Sequence, residues 1–140
     1  MLTCSKIYSD IPFAHRQHSH EGHCSFIHGH NWTVKIVFQA KRLDKNKFII
    51  DFGKLKSLKN WIEKNLDHAC VLNEEDPFLN KLPKGIFKLL VVKDCSCEGL
   101  AMFLHDIFSK IINEQEGKRV RIKSIEILED SKNSAKYESI

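Results

Sequence analysis

The run His30-Asn31-Trp32-Thr33-Val34-Lys35-Ile36-Val37-Phe38-Gln39 decides how this chain folds. Trp32, Val34, Ile36 and Phe38 fall on one side of an extended chain, and Asn31, Thr33, Lys35 and Gln39 on the other. Side chains alternate across a strand, so this period of two predicts a half-buried strand from His30 to Leu43. Asp44, Lys45 and Asn46 make a turn, and Phe48 to Ile50 resume extended chain. Upstream, residues 2–14 predict a first strand, although their alternation is imperfect.

Downstream the period changes. Phe52, Leu55, Leu58, Ile62 and Leu66 recur every three or four residues, which predicts an amphipathic helix over 52–66 with Asp51 at its N-cap. Asn73, Asp76, Pro77, Asn80, Pro83 and Gly85 punctuate 67–85 as irregular chain. A short apolar strand follows at 86–93. A second helix, about 97–115, buries Leu100, Leu104, Ile107, Phe108 and Ile111, with Ser96 placed to cap it. Residues 119–129 and 135–139 read as two last strands. This order predicts an α+β fold, a four-stranded antiparallel sheet with both helices on one face. Free sheet edges need partners, so an oligomer joined through them is expected.

No linker or repeat divides the chain, and 140 residues suffice for a single domain over 1–140 with its own core. The net charge of +4 comes from scattered Lys and Arg, which suits a small polyphosphate and argues against a nucleic-acid partner. No apolar run approaches a membrane span, and Met1 to Ser9 lack a signal core. The five cysteines, an odd number without a Cys-x-x-Cys pair, point to reduced thiols in a cytoplasm rather than to disulfides or zinc knuckles.

Histidine is the unusual residue. Six of the eight fall between His15 and His30. His28-Gly29-His30 puts two imidazoles on the same side of a strand, and Gly29 lets a ligand approach the backbone. His15 ends the preceding strand, and a hairpin would return it to the pair. Three neutral imidazoles with a fourth position open is the pattern of a catalytic zinc site. The competing account is a His-rich surface loop, which fits His18, His20 and His23 better. Cys24, four residues before His28, could be a fourth ligand, a packed apolar residue or a reactive thiolate.

Ala14-His15-Arg16, Cys24-x-x-x-His28-Gly29-His30, Ile50-Asp51-Phe52, Leu66-Asp67-His68-x-x-x-Leu72-Asn73, Ser96-Cys97-Glu98-Gly99-Leu100-Ala101 and Glu129 together resemble the 6-pyruvoyltetrahydropterin and 6-carboxytetrahydropterin synthase family. The resemblance implies the tunnelling fold and a homohexamer built as a dimer of trimers. It implies zinc on His15, His28 and His30, Cys24 as catalytic base, and Asp67 with His68 as a proton relay supplied by a neighbouring subunit. It also implies Glu129 as the pterin anchor, with Glu98 as a second candidate. A carboxylate can accept a pterin's amino group and adjacent ring N–H in a two-pronged bond. Glu129 shares strand parity with Ile125 and Ile127, on the apolar side, though a solvated strand-end acid is the plainer account. For Asp67–His68 the plainer account is a His at home near a helix C-terminus, for Glu98 an acid at home in a helix first turn. Four departures stand out: Ile11 for a usual Phe, Cys95 and Gly99 for Pro and Asn, and Asp130 for Thr.

The implied activity is a zinc-dependent lyase acting on 7,8-dihydroneopterin triphosphate. The expected product is 6-carboxy-5,6,7,8-tetrahydropterin with acetaldehyde and triphosphate, at the entry to queuosine (7-deazaguanine) synthesis. Alternatives are the biopterin-type 6-pyruvoyltetrahydropterin synthase reaction, a non-catalytic zinc-binding module that would not need Cys24, Asp67 or Glu129, and a zinc hydrolase with a Glu base.

Overall fold

The structure, a computed structural model, describes residues 1–140. Strands β1 (Leu2–His15) and β2 (His28–Ala40) pair antiparallel along almost their whole length, from Leu2 opposite Ala40 to His15 opposite His28. The imperfect alternation of the first strand has a cause. Between Tyr8 and Ile11, β1 carries one residue more than β2 opposite it, and Asp10 takes a positive φ of 56°. This bulge reverses which parity faces inward. Cys4, Lys6 and Tyr8 turn inward before it, and Ile11, Phe13 and His15 after it.

The remaining elements are α1 (Lys56–Asn65), β3 (Cys70–Asn73), β4 (Leu89–Val92), α2 (Cys97–Glu116), β5 (Val120–Leu128) and β6 (Ser134–Glu138). The sheet runs β4-β3-β1-β2-β5-β6. It is therefore six-stranded and mixed, not four-stranded and antiparallel: β3 lies parallel to both β1 and β4. Strand β3 escapes a periodicity search because all four of its residues are buried, so nothing alternates.

Trp32, Val34, Ile36 and Phe38 are wholly buried, as their spacing predicts, and they meet Leu58, Ile62, Leu104, Phe108, Ile125 and Ile127 in one core. Both helices thus cover the same face of the sheet. The first helix is shorter than 52–66: the Asp51 side chain accepts from the Gly53 N–H and caps a separate turn, Phe52–Lys54, leaving Phe52 exposed. The second starts as expected, with the Ser96 hydroxyl accepting from the Gly99 N–H at 3.0 Å, and Gly117 ends it at φ +66°. No helix is long and apolar enough to cross a membrane.

Candidate active site

The β1–β2 hairpin brings His15, His28 and His30 together at one end of the sheet, with one ligand atom from each lying within 4.8 Å of the others. Their orientation is set by what holds their far sides. His15 Nδ1 donates to the Cys95 carbonyl at 2.7 Å, and His28 Nδ1 donates to the Phe26 carbonyl at 2.7 Å. A ring nitrogen facing a carbonyl must carry the proton, which leaves the Nε2 lone pair free. The Nε2 atoms of His15 and His30 are buried without any hydrogen-bond partner. Orphaned buried acceptors are costly, so this set fits a cation.

Burial pushes the His15 pKa down to about 4 against the opposing pull of the Cys95 carbonyl, with His28 and His30 adding to the depression. His15 is neutral at physiological pH, as a metal ligand must be. Trp32 forms the floor, its ring edge-on to His15 and His30 at 4.9 and 5.2 Å and its Nε1–H bound to the Phe13 carbonyl at 3.0 Å.

Beside this set opens a cavity of about 460 Å³ lined by His15, Gln17, Cys97, Glu98, Glu129 and Lys132, among others. Glu129, one residue beyond β5, aims its carboxylate at the metal set, with Oε2 4.0 Å from His30 Nε2. Glu98, exposed in the first turn of α2, reaches the same cavity. Cys97 also lines it, but burial, then Glu129 and Glu98, push its thiol up to about 12, so it stays protonated.

Cys24 sits exposed in the short turn His23–Ser25 and stands outside the three-imidazole set. Arg16 ties this turn down. Its guanidinium forks onto the buried Asp76 carboxylate at 2.6 and 2.7 Å and donates to the Ser25 carbonyl at 3.3 Å, while Gln17 N–H holds the Cys24 carbonyl at 2.7 Å. The sequence reading missed the Arg16–Asp76 pair; the one signal was Asp76-Pro77 as a helix-start dipeptide. His18, His20 and His23 stay outside the metal set.

Asp67 and His68 are brought together, outside the three-imidazole set. His68 Nδ1 lies 2.5 Å from Asp67 Oδ1. His68 itself has a positive φ of 64°, its N–H pinned to the Pro12 carbonyl, and its imidazole is 79% exposed. It borders a shallow depression of about 490 Å³ with Pro12, Gly29, His30 and Asn31, separate from the cavity of Glu129.

A family model described as 6-pyruvoyl tetrahydropterin synthase matches residues 5–139. The chain belongs to that enzyme family. Among its relatives, a 6-carboxy-5,6,7,8-tetrahydropterin synthase from Rickettsia typhi is 32% identical over 120 residues, covering 82% of this chain and 86% of the relative. One of the same description from Rickettsia bellii is 28% identical, covering 90% and 94%. An uncharacterized protein from Wolinella succinogenes shares the fold with a TM-score of 0.85 at 20% identity, over 99% of this chain and 98% of that one. A Plasmodium vivax 6-pyruvoyltetrahydropterin synthase does so at 0.69 and 17%, over 98% of each chain. The tetrahydropterin synthase fold is thus an α+β one with two helices on a curled, mixed sheet.

Proposed function

We propose that residues 1–140 act as one cytoplasmic, zinc-dependent lyase domain converting 7,8-dihydroneopterin triphosphate, with one water, to 6-carboxy-5,6,7,8-tetrahydropterin, acetaldehyde and triphosphate. The observation that carries this reading is the Glu129 carboxylate standing 4.0 Å from the buried, unpartnered Nε2 of His30. A pterin anchor then stands within reach of the metal set, whose His15 lines the same cavity. The descriptions of the Rickettsia relatives support the carboxy product over the pyruvoyl one.

In this reading His15, His28 and His30 hold zinc through Nε2. Bound there, zinc supplies Lewis acidity that makes the C–H beside the substrate's side-chain hydroxyls more acidic. Glu129 accepts the pterin amino group and ring N–H, orienting the side chain toward the imidazoles. Glu98 is a second carboxylate for the same ring. Cys24 as thiolate takes the side-chain proton, and Asp67 with His68 relays protons. Since His68 faces out of its own chain, the relay serves a neighbour's site. The unpaired edges β4 and β6 support a homohexamer made from two trimers.

Incubation with 7,8-dihydroneopterin triphosphate and mass spectrometry of the products tests the reading. Carboxytetrahydropterin with acetaldehyde is the expected result. A pyruvoyl product would move the chain to the other branch of the family, and an unconsumed substrate would overturn the lyase reading.

A further inference from the structure

Asp94, Cys95 and Ser96, between β4 and α2, contribute no side chain to the metal set, yet they fix one member of it. The Cys95 carbonyl is the partner of His15 Nδ1. Cys95 is itself wholly buried and held from two directions: its N–H donates to Asn73 Oδ1 at 2.6 Å, and its thiol donates to the Arg16 carbonyl at 3.0 Å. Asn73, buried at the end of β3, also donates to Gln17 Oε1 at 2.9 Å. Gln17 in turn donates to Asp94 Oδ1 at 3.2 Å, and the Asp94 carboxylate accepts from the Ser96 N–H and hydroxyl, both at 2.9 Å.

Two of the departures from the family pattern bear on this loop, Cys95 within it and Gly99 in the first turn of α2. A proline at 95 would have no N–H to give; Cys95 has one, and Asn73 takes it. A side chain at 99 would put its Cβ 2.3 Å from the Asp94 carbonyl oxygen and 2.6 Å from Asp94 Cγ, so only glycine lets Asp94 fold over the first turn of α2.

We propose that Asn73 is a positioning residue for the metal centre: by accepting the Cys95 N–H, it aims the Cys95 carbonyl at His15 and holds His15 Nε2 on the ion. The inference rests on His15, His28 and His30 being the metal ligands. Its physical basis is that a buried N–H without a partner is costly. Without the Asn73 oxygen the loop must turn to find another acceptor, and the carbonyl turns with it. Groups that orient a ligating histidine from behind typically set metal affinity by ten- to a hundred-fold.

The test is zinc affinity by competition with a chromophoric chelator, alongside the visible spectrum of the cobalt-loaded protein and the melting of the metal-free protein. Asn73→Leu, close in volume but without an acceptor, is expected to bind zinc roughly ten- to a hundred-fold more weakly and to show an altered cobalt spectrum. Asn73→Asp keeps the acceptor oxygen and is expected to stay near the parent. Ile62→Val, remote in the core, serves as the control for general destabilisation and is expected to keep parental affinity. A folded Asn73→Leu protein with parental affinity overturns the inference, as does an equal loss in Asn73→Asp. If Asn73→Leu fails to fold, the smaller Asn73→Ala, which also lacks the acceptor oxygen, carries the test: weaker zinc binding supports the assignment and parental binding overturns it. A parent chain that takes up neither zinc nor cobalt overturns the metal reading itself, and this inference with it.

Discussion

His15 and His28 are the last opposed pair of the β1–β2 ladder, and their rings lie 4.7 Å apart, edge to face. Two residues thirteen positions apart in sequence are thus placed side by side by strand register alone. The bulge at Asp10 takes up the one residue that β1 carries beyond β2 in that register.

Deleting Asp10 should remove the bulge together with its extra residue, setting Ser9 opposite Thr33 and leaving Ile11, Phe13 and His15 on the inward face with their partners on β2 unchanged. The expected outcome is zinc retained near parental content, measured by metal analysis of purified protein; loss of most of it would show that the bulge itself, and not the register, shapes the site. Asp10→Gly, which keeps the residue count and suits a positive φ, should retain the metal.

Zinc content should be about one per chain, as a site with three protein ligands requires. Replacing His15, His28 or His30 with Ala should each remove most of it. Full retention in all three variants would sink the site assignment.

Cys24→Ala should separate base from ligand. The thiol stands outside the three-imidazole set, so the variant should keep zinc and bind pterin while turnover falls by roughly a hundred- to ten-thousand-fold. A zinc-free Cys24→Ala protein would make Cys24 a ligand instead.

Mixing inactive Cys24→Ala chains with inactive His68→Ala chains should restore part of the activity, since hybrid assemblies pair an intact thiol with an intact relay from a neighbour. Sedimentation of the active species checks the same point. An active monomer would refute the shared site.

Asp76→Ala should destabilise the fold by about 3 kcal/mol in chemical denaturation, because it strands the Arg16 guanidinium half-buried. The hydrogen bond from Arg16 holds the Asp76 carboxyl below its usual range. A carboxyl that ionises more readily folded than unfolded stabilises fully above its unfolded pKa of roughly 3.9. That contribution fades as pH falls through the native value. The acid limb of the stability curve should therefore be shallower in Asp76→Ala than in the parent.

By itself the sequence determined the period-two face of β2, the Ser96 cap, the pairing of His28 with His30 and most of the buried face of α2, because each depends on neighbours within a few residues. On α2, Leu100, Leu104 and Phe108 are buried but Ile107 and Ile111 only half-buried, with Ile112 buried in their place. The sequence also showed the family motifs in which His15, Cys24, Asp67, His68 and Glu129 stand. Tertiary structure decided the rest. Strand β3 has no visible period because it is buried on both faces and paired in parallel to strands far away in sequence. The inward turn of His15 came from a bulge whose extra residue can be recognised only against β2. The tautomers of His15 and His28 follow from carbonyls at Cys95 and Phe26, one of them eighty residues distant. Local patterns can place a side chain on a face, but a hydrogen-bond partner brought in by long-range folding decides which nitrogen of that side chain is left to bind.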